Sequence, residues 1–205
     1  MSTVTKPLIK VCGLTRPQDA TTAAILGADF CGFVFHPKSP RAVTPLQAGV
    51  MATPYSKRVG VFVENSLQET IDIMGKAVLE FAQLHGDHEP EFARSLGPAK
   101  VIKVFWPDRQ SPEELTALME AWKDLAAYFL FDAGKDGGGS GKRIQGALPN
   151  SPKPYFLAGG LTDEFIHDLW PSPDPMMVGF DLNSGIEKAP GQKDIEALKS
   201  ILPWR

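Results

Sequence analysis

Eight short apolar runs recur along the chain at residues 8–12, 30–35, 58–63, 79–84, 101–106, 127–131, 154–158 and 176–181, and a helix-like segment follows each of them. That alternation constrains the fold more than any other feature. Runs such as FCGFVF and VIKVFW are almost continuously hydrophobic. They suit strands of a parallel sheet buried on both faces, not half-exposed antiparallel strands. The helical segments carry start and stop signals. Residues 16–26 end on Gly27, residues 45–52 follow Thr44, residues 67–76 follow Ser66, and residues 112–125 follow Ser111. Residues 88–96 end on Gly97, residues 163–170 follow Thr162, and residues 194–202 close the series. Polar caps at the start and glycine just past the end are what an amphipathic helix needs at its unpaired termini. The remaining segment, 144–148, is hardly one turn long.

Eight such units in 205 residues predict an α/β protein, a closed (β/α)8 TIM barrel near the lower end of the usual range of about 200 to over 400 residues. No linker interrupts the pattern, so residues 1–205 are expected to form a single catalytic domain. An open dinucleotide-binding sheet is the alternative. It wants a G-x-G-x-x-G turn after the first strand, where this chain reads Cys12-Gly13-Leu14-Thr15-Arg16-Pro17.

Composition narrows the function classes. A hydrophobic fraction of 43% excludes intrinsic disorder. The longest apolar run, Leu125 to Phe131, has seven residues, against about 20 for a membrane-spanning helix, and the start, MSTVTKPLIK, lacks the apolar core of a signal peptide. With 21 basic and 24 acidic residues, a formal net charge of −3, the chain has no electrostatic footprint for nucleic acid or an acidic membrane. Cys12 and Cys31 are the only cysteines and read as free thiols of a reducing compartment. A cytoplasmic location is expected, and no obligate protein partner is evident.

In a barrel, chemistry sits at the C-terminal ends of the strands. Cys12 ends the first run, Arg41 lies in the loop after the second, Gln83 and His85 close the fourth, and Asp132 ends the sixth. The last three loops are rich in glycine and small polar residues: Gly139-Ser140-Gly141, Gly159-Gly160 and Asn183-Ser184-Gly185. Such loops bring backbone N–H groups close to an anion, and in barrels the loops after strands seven and eight commonly hold phosphate. A nucleotide P-loop is excluded, because the pattern ending at Gly141-Lys142 would put Asp136 at its first glycine and Arg143 at its hydroxyl position. Taken singly, Cys12 is more often an inert packed thiol and Asp132 a loop cap. Their joint placement at one rim with an anion cradle favours a site. No set of four ligands at zinc spacing is present, so no metal is expected.

The chain resembles phosphoribosylanthranilate isomerase over nearly its whole length. The resemblance rests on Lys10-Val11-Cys12-Gly13-Leu14-Thr15, Gly27-Ala28-Asp29 and the segment from Gly32 to Arg41. It continues through Val59 to Val63, Gln83-Leu84-His85-Gly86, Gly138 to Lys142, Ala158-Gly159-Gly160-Leu161 and Ser184-Gly185-Ile186-Glu187, with Pro190-Gly191 and Lys193-Asp194. It implies an aldose–ketose isomerisation in tryptophan biosynthesis, acting on a small phosphorylated substrate without a cofactor. By resemblance, Cys12 stands at the general base, Asp132 at the general acid, and Arg41 where the anthranilate moiety is contacted; the glycine loops match the phosphate cradle.

Both reacting groups need help. At its reference pKa a thiol is only about 3% ionised at pH 7 and an aspartate about 0.1% protonated. Partial burial of Asp132 and a positive charge beside Cys12 are therefore expected. Other phosphate-binding barrels are the rivals: an epimerase would use paired aspartates and histidine ligands, and a synthase would use lysines, of which Lys103 on the fifth run is the candidate. A barrel that binds a phosphorylated ligand without turnover is the non-enzymatic reading.

Overall fold

A computed structural model describes residues 6–133, 148 and 150–202. Eight parallel strands close on themselves in sequence order: β1 (Leu8–Val11), β2 (Phe30–Val34), β3 (Lys57–Phe62), β4 (Phe81–Leu84), β5 (Val101–Phe105), β6 (Tyr128–Asp132), β7 (Tyr155–Ala158) and β8 (Met177–Leu182). The ring is sealed where β1 pairs with β8, with Leu8 opposite Gly179 and Lys10 opposite Asp181. The expected (β/α)8 barrel is what the chain forms.

Helices α1 (Pro17–Leu26), α2 (Pro45–Val50), α3 (Leu67–Lys76), α4 (Pro90–Leu96), α5 (Pro112–Trp122), α6 (Asp163–Leu169) and α7 (Ile195–Ile201) follow the strands. Their starts obey the sequence signals. Thr44, Ser66 and Ser111 each form a reciprocal capping box with the residue three positions on, so two otherwise unpaired donors are satisfied at each end. Gly27 closes α1 at φ 106°, a left-handed conformation that glycine adopts freely. Among the described residues, no helix is long and apolar enough to cross a membrane.

Several strand and helix ends differ from the sequence reading by one to three residues, the largest difference being at α5, which stops at Trp122. β4 starts at Phe81, two residues later than expected, because the chain first turns through Val78 at φ 53°. The short helix expected at 144–148 lies outside the described residues apart from Leu148, which has no regular structure. An unforeseen antiparallel hairpin, β9 (Glu187–Ala189) with β10 (Gln192–Lys193), stands between β8 and α7.

The barrel interior is closed at its base by aromatic rings. Phe30 meets Phe81, Tyr128 and Phe156 with ring centroids 5.7, 6.0 and 5.4 Å apart. Phe30, Phe81 and Tyr128 come from alternate strands, the usual layering of a barrel core. Because that end is filled, the open space lies at the strands' C-terminal ends.

Candidate active site

A cavity of about 800 Å³ opens there. Every site residue expected from the sequence that is among the described residues lines it: Cys12, Arg41, Gln83, His85, Asp132, Gly159, Gly160, Asn183, Ser184 and Gly185. Gly139, Ser140 and Gly141 lie outside the described residues.

Strand register sets the floor of the cavity. Asp132 pairs across to Ala158, Ala158 to Asp181, and Asp181 to Lys10, so two carboxylates and an ammonium face the barrel interior along one line of register across four adjacent strands. Lys10 is fully buried, and its Nζ donates to Asp181 Oδ1 at 2.8 Å. Cys12, two residues further on, points the same way because side chains alternate along a strand. Gly32 on β2 makes room for both. A Cβ there would lie 2.9 Å from Cys12 Sγ and 3.2 Å from Lys10 Nζ.

Burial raises the Cys12 thiol pKa; Lys10 and Lys193 oppose that shift without cancelling it. The expected positive charge is therefore present, but desolvation outweighs it and the thiol, not the thiolate, is favoured. Burial likewise pushes Asp181 up against the pull of Lys10, and the charge of Asp132 adds to the rise. For Lys10, burial works against the ammonium form, but Asp181 and Cys12 outweigh it and leave the pKa raised.

Arg41 is less free than a surface arginine. Its Nε and Nη2 donate to the Glu187 carboxylate at 3.0 and 2.6 Å, with side-chain exposures of 12% and 4%. Lys193 Nζ donates to the same carboxylate at 2.9 Å and to Asn183 Oδ1 at 3.1 Å. The hairpin thus ties Arg41 to the turn after β8. Gly13 leaves them space at φ 70°, where a Cβ would come within 2.6 Å of Asn183 Oδ1 and 2.7 Å of Arg41 Cδ.

The wall formed by β4 and β5 carries buried polar atoms. Gln83 Oε1, both ring nitrogens of His85 and Trp106 Nε1 are shielded from solvent and, among the described residues, lack a hydrogen-bond partner. The His85 ring meets Trp106 edge-on at 5.2 Å. Burial, then the nearby cations Lys10, Arg109 and Lys103, holds the His85 pKa down to about 4, so at neutral pH it offers one donor and one acceptor and no charge. Such unsatisfied groups are costly unless a ligand meets them. Lys103 is placed elsewhere. Its Nζ donates to Gly86 O at 3.0 Å and lies 4.6 Å from the Trp122 ring centroid, outside the strands, so the synthase reading loses its lysine.

Lys10, Asp181, Trp106, Glu187 and Lys193 were not singled out as site residues. The usable signal was a lysine flanked by apolar residues two positions before Cys12. Among the described residues, no group of three or more His, Cys, Asp or Glu side chains is placed to hold a metal ion.

Comparison with known proteins agrees with this geometry. Residues 9–203 match the family described as N-(5'-phosphoribosyl)anthranilate (PRA) isomerase. A protein of that name from Desulfovibrio desulfuricans is 46% identical over 202 residues, covering 95% of this chain and 93% of the relative. The crystal structure of the phosphoribosyl anthranilate isomerase of Thermus thermophilus superposes with a TM-score of 0.80 at 34% identity, covering 95% of this chain and 96% of the other. A further isomerase structure, solved in complex with reduced 1-(o-carboxyphenylamino)-1-deoxyribulose 5-phosphate, gives a TM-score of 0.76 at 27% identity, covering 96% of this chain and 97% of the other. The chain belongs to the N-(5'-phosphoribosyl)anthranilate isomerase family.

Proposed function

We propose that this chain converts N-(5-phosphoribosyl)anthranilate into 1-(2-carboxyphenylamino)-1-deoxyribulose 5-phosphate, with Asp132 as general acid and Cys12 as general base. The observation that carries the reading is that one cavity joins Cys12, Asp132 and the loops after β7 and β8, so an acid, a base and an anion cradle meet around one substrate-sized space. Asp132, as the carboxylic acid, gives its proton to the ribose ring oxygen while the bond from that oxygen to C1 breaks. The iminium left behind acidifies the neighbouring C2–H. Cys12, as thiolate, takes that proton, and the resulting enolamine gains a proton at C1 as its 2-hydroxyl loses one, which gives the ketose. Holding both groups on rigid strand ends confers the advantage of proximity. The test is loss of substrate fluorescence on adding purified protein, with and without chelator. No turnover by folded protein, or turnover abolished by chelator, overturns the reading.

In this reading the phosphate sits at the loops holding Gly160 and Ser184. Gly160 adopts φ 58°, and at Gly185 a Cβ would come 2.4 Å from Leu161 O. Loops this close tolerate no side chain, which leaves their backbone to face an anion. Millimolar sulfate or inorganic phosphate is expected to compete with substrate and raise KM without changing kcat. An anion found by crystal soaking at the opposite end of the barrel contradicts the assignment.

Arg41 supports recognition of the anthranilate carboxylate. Glu187 occupies its Nε and Nη2, and the guanidinium carries further donors at Nη1. Charge-assisted bonds contribute roughly 1.5–3 kcal/mol, so Arg41→Ala is expected to lower kcat/KM by about one to two decades. Some loss of stability accompanies it, because Glu187 is left with Lys193 as its cation. An unchanged kcat/KM in the folded variant removes Arg41 from the site.

A further inference from the structure

We propose that Lys10 is a positioning residue for the base, and that its single ammonium group is the counter-ion for which the Cys12 thiolate and the Asp181 carboxylate compete. The inference rests on the reading of Cys12 as base.

Geometry carries it. Lys10 and Asp181 are register partners across the β1–β8 seam, and Nζ is 2.8 Å from Asp181 Oδ1. The same Nζ and Cys12 Sγ converge on the space above Gly32, which a Cβ would bring within 3.2 and 2.9 Å of them. Lys10 has no exposure to solvent, so water does not compete with the two anions for its ammonium. Among the described residues, the charged and titratable groups that act on Cys12 are Lys10 on its own strand, Asp181 on β8, Lys193 on β10 and, from the opposite face of β2, Cys31. Lys193 is already engaged by Glu187 at 2.9 Å, and Cys31 is a thiol held up to about 11 by burial. Lys10 is thus the cation that Cys12 shares with one carboxylate.

Sharing has a consequence that a structural ion pair lacks. While Asp181 is ionised, it draws the ammonium toward itself and adds its own repulsion, and both effects disfavour a thiolate at Cys12. If Asp181 becomes neutral, the whole charge serves Cys12. Removing the lysine and neutralising the aspartate must therefore shift the thiol in opposite directions. An opposite charge at contact distance moves a pKa by about one to three units.

The experiment titrates Cys12 alone in a Cys31→Ser background, using thiolate ultraviolet absorbance and the pH dependence of alkylation by iodoacetamide. Asp181→Asn is expected to lower the thiol midpoint by about one pH unit, and Lys10→Met to raise it by at least as much. Lys10→Met leaves a buried carboxylate without its cation, so the variant can fail to fold. The double variant Lys10→Met/Asp181→Asn removes both charges and is compared with Asp181→Asn; its midpoint must be the higher of the two. Midpoints that coincide, or that move in the same direction in both single variants, overturn the inference. The acid limb of kcat/KM should follow the thiol midpoint in every folded variant. Because the titration uses no substrate, it fails independently of the catalytic reading: opposed midpoint shifts in a protein that does not turn over N-(5-phosphoribosyl)anthranilate refute that reading alone.

Discussion

Cys12→Ala and Asp132→Asn are each expected to lower kcat/KM by about 10²–10⁴-fold, the usual contribution of general acid–base assistance, with melting temperatures within a few degrees of wild type. The two substitutions remove reactive atoms and little packing. Cys12 is buried against Val34 and Val61, a contact that the alanine methyl partly retains, and Asn keeps the shape of Asp. A thiol that served only to pack would show the reverse pattern, a rate within a few-fold of wild type and a visible loss of stability. The pH profile separates the roles further. Cys12 must be ionised to accept a proton, and burial raises its pKa, so kcat/KM should rise with pH through the thiol midpoint. Cys12→Ala abolishes that limb, whereas Arg41→Ala keeps it. Near-normal turnover in either folded variant eliminates that residue from the mechanism.

Much of this site was legible in the chain because barrel chemistry collects where strands end. Reading Cys12, Gln83, His85 and Asp132 required only strand ends, which apolar runs mark to within a residue or two. Pairing was harder. Lys10 is a lone charge in the middle of an apolar run, and only the register that sets it opposite Asp181 shows it to be part of an interior ion pair beside Cys12. The Arg41 clamp was invisible for a related reason, since Glu187 is 146 residues away and reaches Arg41 through a hairpin that periodicity does not reveal. The sign of the Cys12 shift was also beyond sequence. A nearby cation argues for thiolate, yet depth of burial decides the balance, and depth is a property of the closed barrel. Trp106 shows a third limit: an aromatic ring at the end of an apolar run reads as core, and only the folded chain shows it lining the cavity with a buried indole N–H that has no partner among the described residues.

Gly179→Ala is expected to be the most destabilising small substitution in the described barrel wall, because it obstructs the seam on which closure depends. Gly179 pairs with Leu8 where β8 meets β1. A Cβ at that position would stand 1.8 Å from Leu8 O, 2.7 Å from Leu8 C and 2.8 Å from Leu8 N. These are backbone atoms, so no rotamer change relieves the overlap and the strands must separate. Overpacking in a core typically costs about 1–3 kcal/mol and more where the surroundings cannot yield, a large share of a total stability of roughly 5–15 kcal/mol. At about 2–4 °C per kcal/mol for a chain of this size, the melting temperature should fall by roughly 6–12 °C for a loss near 3 kcal/mol. Activity should fall as well, since the same seam carries the Lys10–Asp181 pair below Cys12. Gly75→Ala is the control. Gly75 lies in the last turn of α3, and a Cβ there meets nothing within 4 Å, so alanine should leave stability unchanged or add up to about 1 kcal/mol through helix propensity. Thermal and urea unfolding of the two variants test the contrast, and a melting temperature for Gly179→Ala within two or three degrees of wild type would show that the seam opens at little cost.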